Sequence, residues 1–470
     1  MNYGKIILKA DLELISPLMI GSGESEISDR DILLDKKGMP YIPASSFMGK
    51  LCTELQTDKK KKYFGQKKVG ENDKNAEENK PEQNKFEHQS YIICDDLLLT
   101  NGPGTNTTIR DGIMINPQTG LVEEGAKFDY QVLEPGNNFS LEMSLTVEEG
   151  TYDECKELME NILGVLQHNH IALGGKTSSG FGHLQVHNIR LMEYDFTDKK
   201  KAAAYLLKKE IENVLSRYEK SKPINNDFTI TASFQIVNSF LIRSYAKTPY
   251  GSDAIQLKCG DEFVLPGTSL RGALRARAQK ILNLLWDNND EEVDLFITAL
   301  FGSASRDKDK AYTVPSSLYV TETVIDNVKC ELQNRVKIDR FTGGTIEGAL
   351  FDSMPVFPAT EEAQLIDLTL TIHKPLSSQK GLLLLLLKDL YNSELPLGGE
   401  KNVGRGLLKG MNAIISDSGK IININDFQDL DEASQKLFDS YIQALISNSD
   451  KKDILSVMVK FKKAIAQEEK

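Results

Sequence analysis

Apolar and polar residues alternate along Phe228–Val237, where Phe228, Ile230, Ala232, Phe234 and Ile236 share one face, and alternate in part along Lys5–Leu14. A period of two predicts a strand half-buried against a core in each segment. The same succession follows both strands. A glycine-rich or polar loop comes first, 21–31 or 243–258, and then Pro43-Ala44-Ser45-Ser46 or Pro266-Gly267-Thr268-Ser269. Proline followed by small hydroxylated residues reads as a turn and a helix start, with Ser45 or Ser46 and Thr268 or Ser269 as cap candidates. Helical patterns continue over Phe47–Gln56 and Leu270–Trp286. Further β segments lead to a second helix, Tyr152–His168 or Ser377–Ser393. A glycine loop ends that helix and feeds a last strand, Phe181–Arg190 or Gly406–Ile415. Strand, helix, strands, helix, strand is the order of a ferredoxin-like α+β domain, and the chain runs through it twice.

The repetition extends to the residues themselves. Leu173-Gly174-Gly175-Lys176-Thr177-Ser178-Ser179-Gly180-Phe181-Gly182 returns as Leu397-Gly398-Gly399-Glu400-Lys401-Asn402-Val403-Gly404-Arg405-Gly406. The Pro43 turn returns at Pro266, and Ile115–Asp129 pairs with Ile338–Asp352 with Ile, Thr, Gly, Glu, Gly, Ala, Phe and Asp recurring in place. An offset of 223 or 224 residues is too long for a solenoid unit and implies two complete domains of one fold. The 470 residues suffice for both. The expected organisation is a first domain over 1–193, a connector over 194–226, a second domain over 227–415 and a helical C-terminal extension over 416–470. Gln66–Gln89, rich in Lys, Glu, Asn and Gln, reads as a disordered insertion in the first domain.

Composition changes this picture little. The net charge of −12 argues against wholesale affinity for nucleic acid, but binding depends on local grooves, and Arg271, Arg275, Arg277 and Lys280 gather on one predicted helix. Five scattered cysteines, with no Cys-x-x-Cys pair, point to a reducing compartment and away from structural zinc. No apolar run reaches spanning length and the N-terminus reads as a strand rather than a signal peptide, so a cytoplasmic protein without a membrane partner is expected.

The glycine loops follow a helix and precede a strand, the reverse of phosphate-binding P-loops and dinucleotide loops. For a lone copy, a helix C-terminus needing left-handed residues is explanation enough. Two copies that keep four glycines favour close backbone approach to a ligand, and exposed amides suit a phosphodiester chain. The candidate RNA contacts in these loops are Gly174, Gly175, Lys176, Ser178 and Gly180, and Gly398, Gly399, Lys401, Gly404 and Arg405. The helix starts add Ser45, Ser46 and Lys50 in the first half, and Thr268, Ser269, Arg271 and Arg275 in the second. A solvated basic face is the plainer reading of those arginines.

Taken together, these blocks resemble the RAMP (repeat-associated mysterious protein) superfamily, the RNA-binding subunits of CRISPR effector complexes. The glycine loop is that family's hallmark. Phe64-Gly65, Phe301-Gly302 and Ile338-Asp339-Arg340-x-Thr342-Gly343-Gly344 are similar to the backbone subunits of type III complexes, here as a fused pair. The resemblance implies tandem ferredoxin-like (RRM-like) domains with β-hairpin thumbs, placed within Thr100–Glu134 and Thr321–Pro355. It implies a ribonucleoprotein of antiviral defence in which guide RNA is gripped by its phosphates and bases are displaced at intervals. The resemblance implies that target RNA is cut beside each displaced base with a divalent cation, expected to be magnesium, beside other effector subunits. In the family an aspartate between the first strand and the Pro-Ser turn carries the cut. Asp29 and Asp253 occupy that position 224 residues apart, with Asp31 as an alternative or a partner for Asp29. A loop aspartate that merely closes a turn is the competing reading.

Other chemistry is set aside. His168-Asn169-His170 lacks the spaced layout of an HNH nuclease, and no Gly-Gly-Asp-Asp signature marks a signalling or DNA-cutting subunit. Two rivals share the fold: a structural guide-binding subunit that does not cut, and a guide-processing endoribonuclease.

Overall fold

The computed structural model describes residues 3–23, 29–55, 60–67, 86–100, 106–116, 119–167, 171–218, 226–245, 251–287, 289–304, 313–360 and 366–456. The expected disordered insertion lies largely outside them, as does the His168-Asn169-His170 run. Two compact units result, one of 1–110, 128–177 and 181–224, the other of 111–127, 178–180 and 225–470.

In the first unit β1 (Gly4–Leu14) is the second strand of an antiparallel sheet. Its neighbours are β4 (Leu184–Asp195) and β3 (Asn138–Val147), and β3 goes on to pair with β2 (Leu97–Leu99). The order 4-1-3-2 is the ferredoxin-like arrangement. Alternation along β1 explains its two faces. Ile6, Leu8, Ala10, Leu12 and Leu14 join Phe47 and Leu51 of α1 (Ala44–Glu54) and Leu158, Ile162 and Leu166 of α2 (Tyr152–Gln167) in one core. Ile7 points the other way, to Met192 and Tyr194, and there the connector covers the sheet. Its helix α3 (Lys199–Leu206), capped by Asp198, sets Ala204 and Tyr205 on that cluster.

The second unit repeats the order. Strand β5 (Phe228–Ile236) lies between β7 (Ile366–Ile372) and β8 (Leu408–Asp417), and β6 (Leu318–Val320) extends the sheet beyond β7. Phe228, Ile230, Ala232, Phe234 and Ile236 are buried with Leu270, Leu274, Ala278 and Leu282 of α4 (Gly267–Leu285) and the leucines of α5 (Ser377–Tyr391). Truncating one such residue, Ile230→Ala for example, would cost about 2–5 kcal/mol.

The C-terminal extension is not purely helical, because β9 (Lys420–Ile424) first returns as a hairpin on β8. Helix α6 (Glu432–Ile446) then docks on α5 at Gly381, where an added Cβ would lie 2.3 Å from the carbonyl oxygen of Tyr441. Close contact between two helix backbones requires a residue without a side chain there.

Candidate nucleic-acid interface

Asp29 and Asp129 form a closed pair. The Asp29 amide donates to Asp129 Oδ1 at 2.8 Å, and the Asp129 amide donates to Asp29 Oδ2 at 2.9 Å. The second unit holds the same arrangement between Asp253 and Asp352, at 2.7 and 3.2 Å. Asp29 and Asp253 are exposed, and Asp129 and Asp352 are half-buried on the return strands of two hairpins. Beyond each pair the chain stays on that strand. Arg30 O accepts from the Gln131 amide at 2.9 Å, while Ala254 and Ile255 run parallel to Ser353 and Met354. Asp31 sits next along, in a short strand paired with Gly21–Gly23.

Asp129 and Asp352 are absent from the sequence-based candidates. Their signal is nonetheless in the sequence, since each is the last matched residue of the Ile115–Asp129 and Ile338–Asp352 repeat.

The hairpins themselves are matched. Thr107–Gly112 pairs with Phe128–Leu133, and Gln333–Ile338 with Thr345–Met354. Asn116 Oδ1 accepts from the Thr119 amide at 3.0 Å, and Asp339 Oδ1 from the Thr342 amide at 2.8 Å. These are side-chain-closed turns, followed by Gly120 and Gly343 at φ 70° and 67°.

The glycine loops hold the segment that leads to each aspartate. In the first, the Gly175 amide donates to Met19 O at 2.7 Å and the Gly182 amide to Pro17 O at 2.7 Å. In the second, Gly399 donates to Leu241 O and Gly406 to Ser239 O, both at 2.8 Å. A Cβ on Gly174 would stand 2.2 Å from Met19 O, and on Gly398 2.4 Å from Leu241 O. On Gly182 and Gly406 it would stand 1.9 and 1.8 Å from Leu173 O and Leu397 O. Gly175 meets the Met19 side chain, and Gly399 that of Arg243. The expectation that ligand approach explains these glycines is therefore corrected: the chain's own atoms fill the space, backbone at Gly174, Gly182, Gly398 and Gly406 and side chains at Gly175 and Gly399. Gly404 differs, with nothing nearer than Asn238 Nδ2 at 4.0 Å. Ser178 and Gly180 belong to the short segment that clusters with the second unit, and Gly180 there meets Glu322 N and Val320 O.

A second correction concerns the helix starts. Pro43 and Pro266 occupy the cap positions, and neither helix has a side-chain cap bond. Ser45, Ser46, Thr268 and Ser269 lie inside the first turn, because proline has already set the backbone angle and its carbonyl accepts from Ser46 and Phe47, or from Ser269 and Leu270. In α1 the Ala44 amide donates to Asp96 Oδ1 at 2.8 Å. Ser45 and Ser46 are exposed; Thr268 and Ser269 are partly so.

The cations are redistributed as well. Arg271, expected to grip phosphate, donates instead to the carbonyls of Phe301 and Leu318, and burial with Arg275 alongside pulls it down to about 10. Arg275 reaches toward Gly302 O at 3.5 Å, and burial lowers it too. Arg277 pairs with Asp389 at 2.6 Å. Arg405 is 2% exposed, pairs with Glu400 at 2.8 Å and donates to Gln333 at 2.6 Å, so it is structural rather than a surface contact. Lys50 pairs with Glu54 at 2.5 Å, and Lys401 stands exposed.

A family model described as the RAMP superfamily matches the chain twice, over 11–185 and 234–409. The chain belongs to the RAMP superfamily. Each matched stretch contains one aspartate pair, one hairpin and one glycine loop. Membership makes this RAMP protein a CRISPR-associated RNA-binding subunit with RNA and complex partners, in a family of which some members are ribonucleases. No curated relative matches it. Among the described residues of this RAMP chain, no helix is long and apolar enough to cross a membrane. No group of three or more His, Cys, Asp or Glu among them is placed to hold a metal ion.

Proposed function

We propose that this RAMP protein is a double backbone subunit of a type III CRISPR effector in the cytoplasm, binding guide RNA and cutting complementary target RNA at Asp29 and at Asp253. The observation that carries this reading is the equivalence of the two aspartates, each exposed and each held in the same way at the base of a hairpin. An aspartate that merely closed a turn would find its partner within a few residues, whereas these partners lie 100 and 99 residues away.

Magnesium fits the donor set. Asp29 and Asp253 each spend one carboxylate oxygen on the partner's amide, which leaves Asp29 Oδ1 and Asp253 Oδ1 without a hydrogen bond among the described residues. One or two carboxylates completed by water and substrate phosphate is how Mg2+ is commonly bound. Asp29 in the first unit and Asp253 in the second would hold it. When bound, the ion neutralises charge developing on the scissile phosphate.

The chain's residues orient the RNA. An exposed carboxylate accepts the proton of a neighbouring 2′-hydroxyl only weakly, so its contribution is to hold that hydroxyl in line with the phosphorus. Ser45, Ser46, Thr268, Ser269, Lys401 and the open edge of Gly404 remain the candidate phosphate contacts.

Asp29→Ala and Asp253→Ala, singly and together in the assembled complex, test the reading. Each single change is expected to abolish one set of cuts by about 10²-fold or more while guide RNA stays bound. Unchanged cutting in the double variant would leave a guide-binding subunit without catalysis.

A further inference from the structure

The aspartate pairs join two parts that cleavage would have to coordinate: the loop that carries the acid and the hairpin that, in the resemblance noted above, displaces a base. We infer that Asp129 and Asp352 are positioning residues, each fixing the loop aspartate of its unit to the hairpin base so that acid and hairpin base act as one body. The inference rests on the cleavage reading above.

Two carboxylates approach each other at an electrostatic cost, which backbone amides offset here by donating to both. The pairs are exposed or half-buried, where a hydrogen bond adds little to folding. Stability alone therefore does not account for the same reciprocal pair in both units. Orientation does. The bond from the Asp129 amide to Asp29 Oδ2 restricts the Asp29 carboxylate, and the bond from the Asp29 amide fixes its backbone to the hairpin. The attachment continues at Arg30 with Gln131, and at Ala254 and Ile255 with Ser353 and Met354, so the aspartate tie is the first rung of a longer contact. A cut would then fall at a constant distance from the displaced nucleotide.

Asp129→Ala and Asp129→Asn separate this role from others, because an asparagine oxygen still accepts the Asp29 amide while the charge is lost. Single-turnover rates at the two cut sites are measured in the assembled complex, with target affinity followed in parallel. Hydrogen exchange at the Asp29 amide is measured on the full chain. Asp129→Ala is expected to slow the Asp29 cut by about tenfold or more, since small misplacements are costly in such a step. Target affinity and the Asp253 cut should stay unchanged, and exchange at the Asp29 amide should accelerate. Asp129→Asn should restore both rate and protection. Asp352→Ala and Asp352→Asn should mirror this at the other cut.

An alanine variant that leaves rate and exchange unaltered overturns the inference. So does an asparagine variant that keeps protection yet cuts as poorly as alanine, since the Asp129 charge would then act directly. Cutting that survives Asp29→Ala would instead refute the cleavage reading, with the exchange measurement still deciding whether the tie exists.

Discussion

The Lys176 ammonium lies 3.5 Å from the ring centre of Tyr130 and 4.8 Å from that of Phe128. Lys176 is a non-glycine residue at φ 59°, and its counterpart Glu400 adopts φ 54°. The two loops share a backbone and differ in charge: Lys176 faces rings, whereas Glu400 bridges Arg335 and Arg405 at 2.8 Å each.

That environment sets a pH dependence. Burial, with Arg30 and Arg110 near, pulls Lys176 down from 10.5 to about 7. Between those values the unfolded chain binds more protons than the folded one, so stability rises with pH across that window. Below about 7 both states are protonated and the dependence from this group ends. Melting temperatures at pH 6.5, 8 and 9.5 should rise more steeply for the native chain than for Lys176→Met; parallel curves would refute it.

The glycine loops predict a graded stability series. Gly182→Ala and Gly406→Ala each place a Cβ within 2 Å of a carbonyl oxygen as well as forcing a left-handed alanine. Both should cost well over the ~1–2 kcal/mol of the backbone angle alone. Gly404→Ala, with nothing nearer than 4.0 Å, should cost only that smaller amount. Denaturant midpoints rank the three, and equal losses would contradict the packing account.

Lys380 and Asp417 anchor the extension. The lysine Nζ is 2.7 and 2.9 Å from the two carboxylate oxygens, Tyr441 of α6 donates to the same carboxylate, and both charged side chains are nearly buried. Asp417→Ala should therefore cost about 3–5 kcal/mol by stranding a buried ammonium. The pair Lys380→Met with Asp417→Leu should recover most of that loss in a denaturation experiment. A double variant as unstable as the single one would show that the charge is not the cause.

Legibility in the sequence follows physical range. Alternation at Phe228–Ile236 and the repeated glycines suffice for two ferredoxin-like domains, because strand faces and left-handed turns are local requirements. What the glycines touch is not local: Met19 and Leu241 are distant in sequence, so packing and ligand approach look alike there. Arg271 and Arg405 read as surface cations for the same reason, since the groups that satisfy them lie elsewhere in the chain. Ser45 and Ser269 read as caps because hydroxylated residues dominate that position, while the preceding proline takes it. Asp129 and Asp352 become visible as site residues only once their amides are seen to meet Asp29 and Asp253.

Phe341 offers the sharpest test of the hairpin in the second unit. It sits in the turn closed by Asp339 and is 99% exposed, a placement that costs hydrophobic free energy and returns none within the chain. Stacking on a nucleic-acid base would recover it, and such contacts contribute about 1–3 kcal/mol per base. Phe341→Ala should leave the melting temperature of the free protein essentially unchanged, since no packing is removed. If the proposed function holds, a fluorescent base analogue at the nucleotide beside this hairpin in the assembled complex should report greater mobility, and cutting at the Asp253 site should weaken. The Asp29 cut should persist, because in the first half the corresponding position is Gln118. Loss of both cuts together would mean that Phe341 supports assembly rather than one hairpin's hold on RNA.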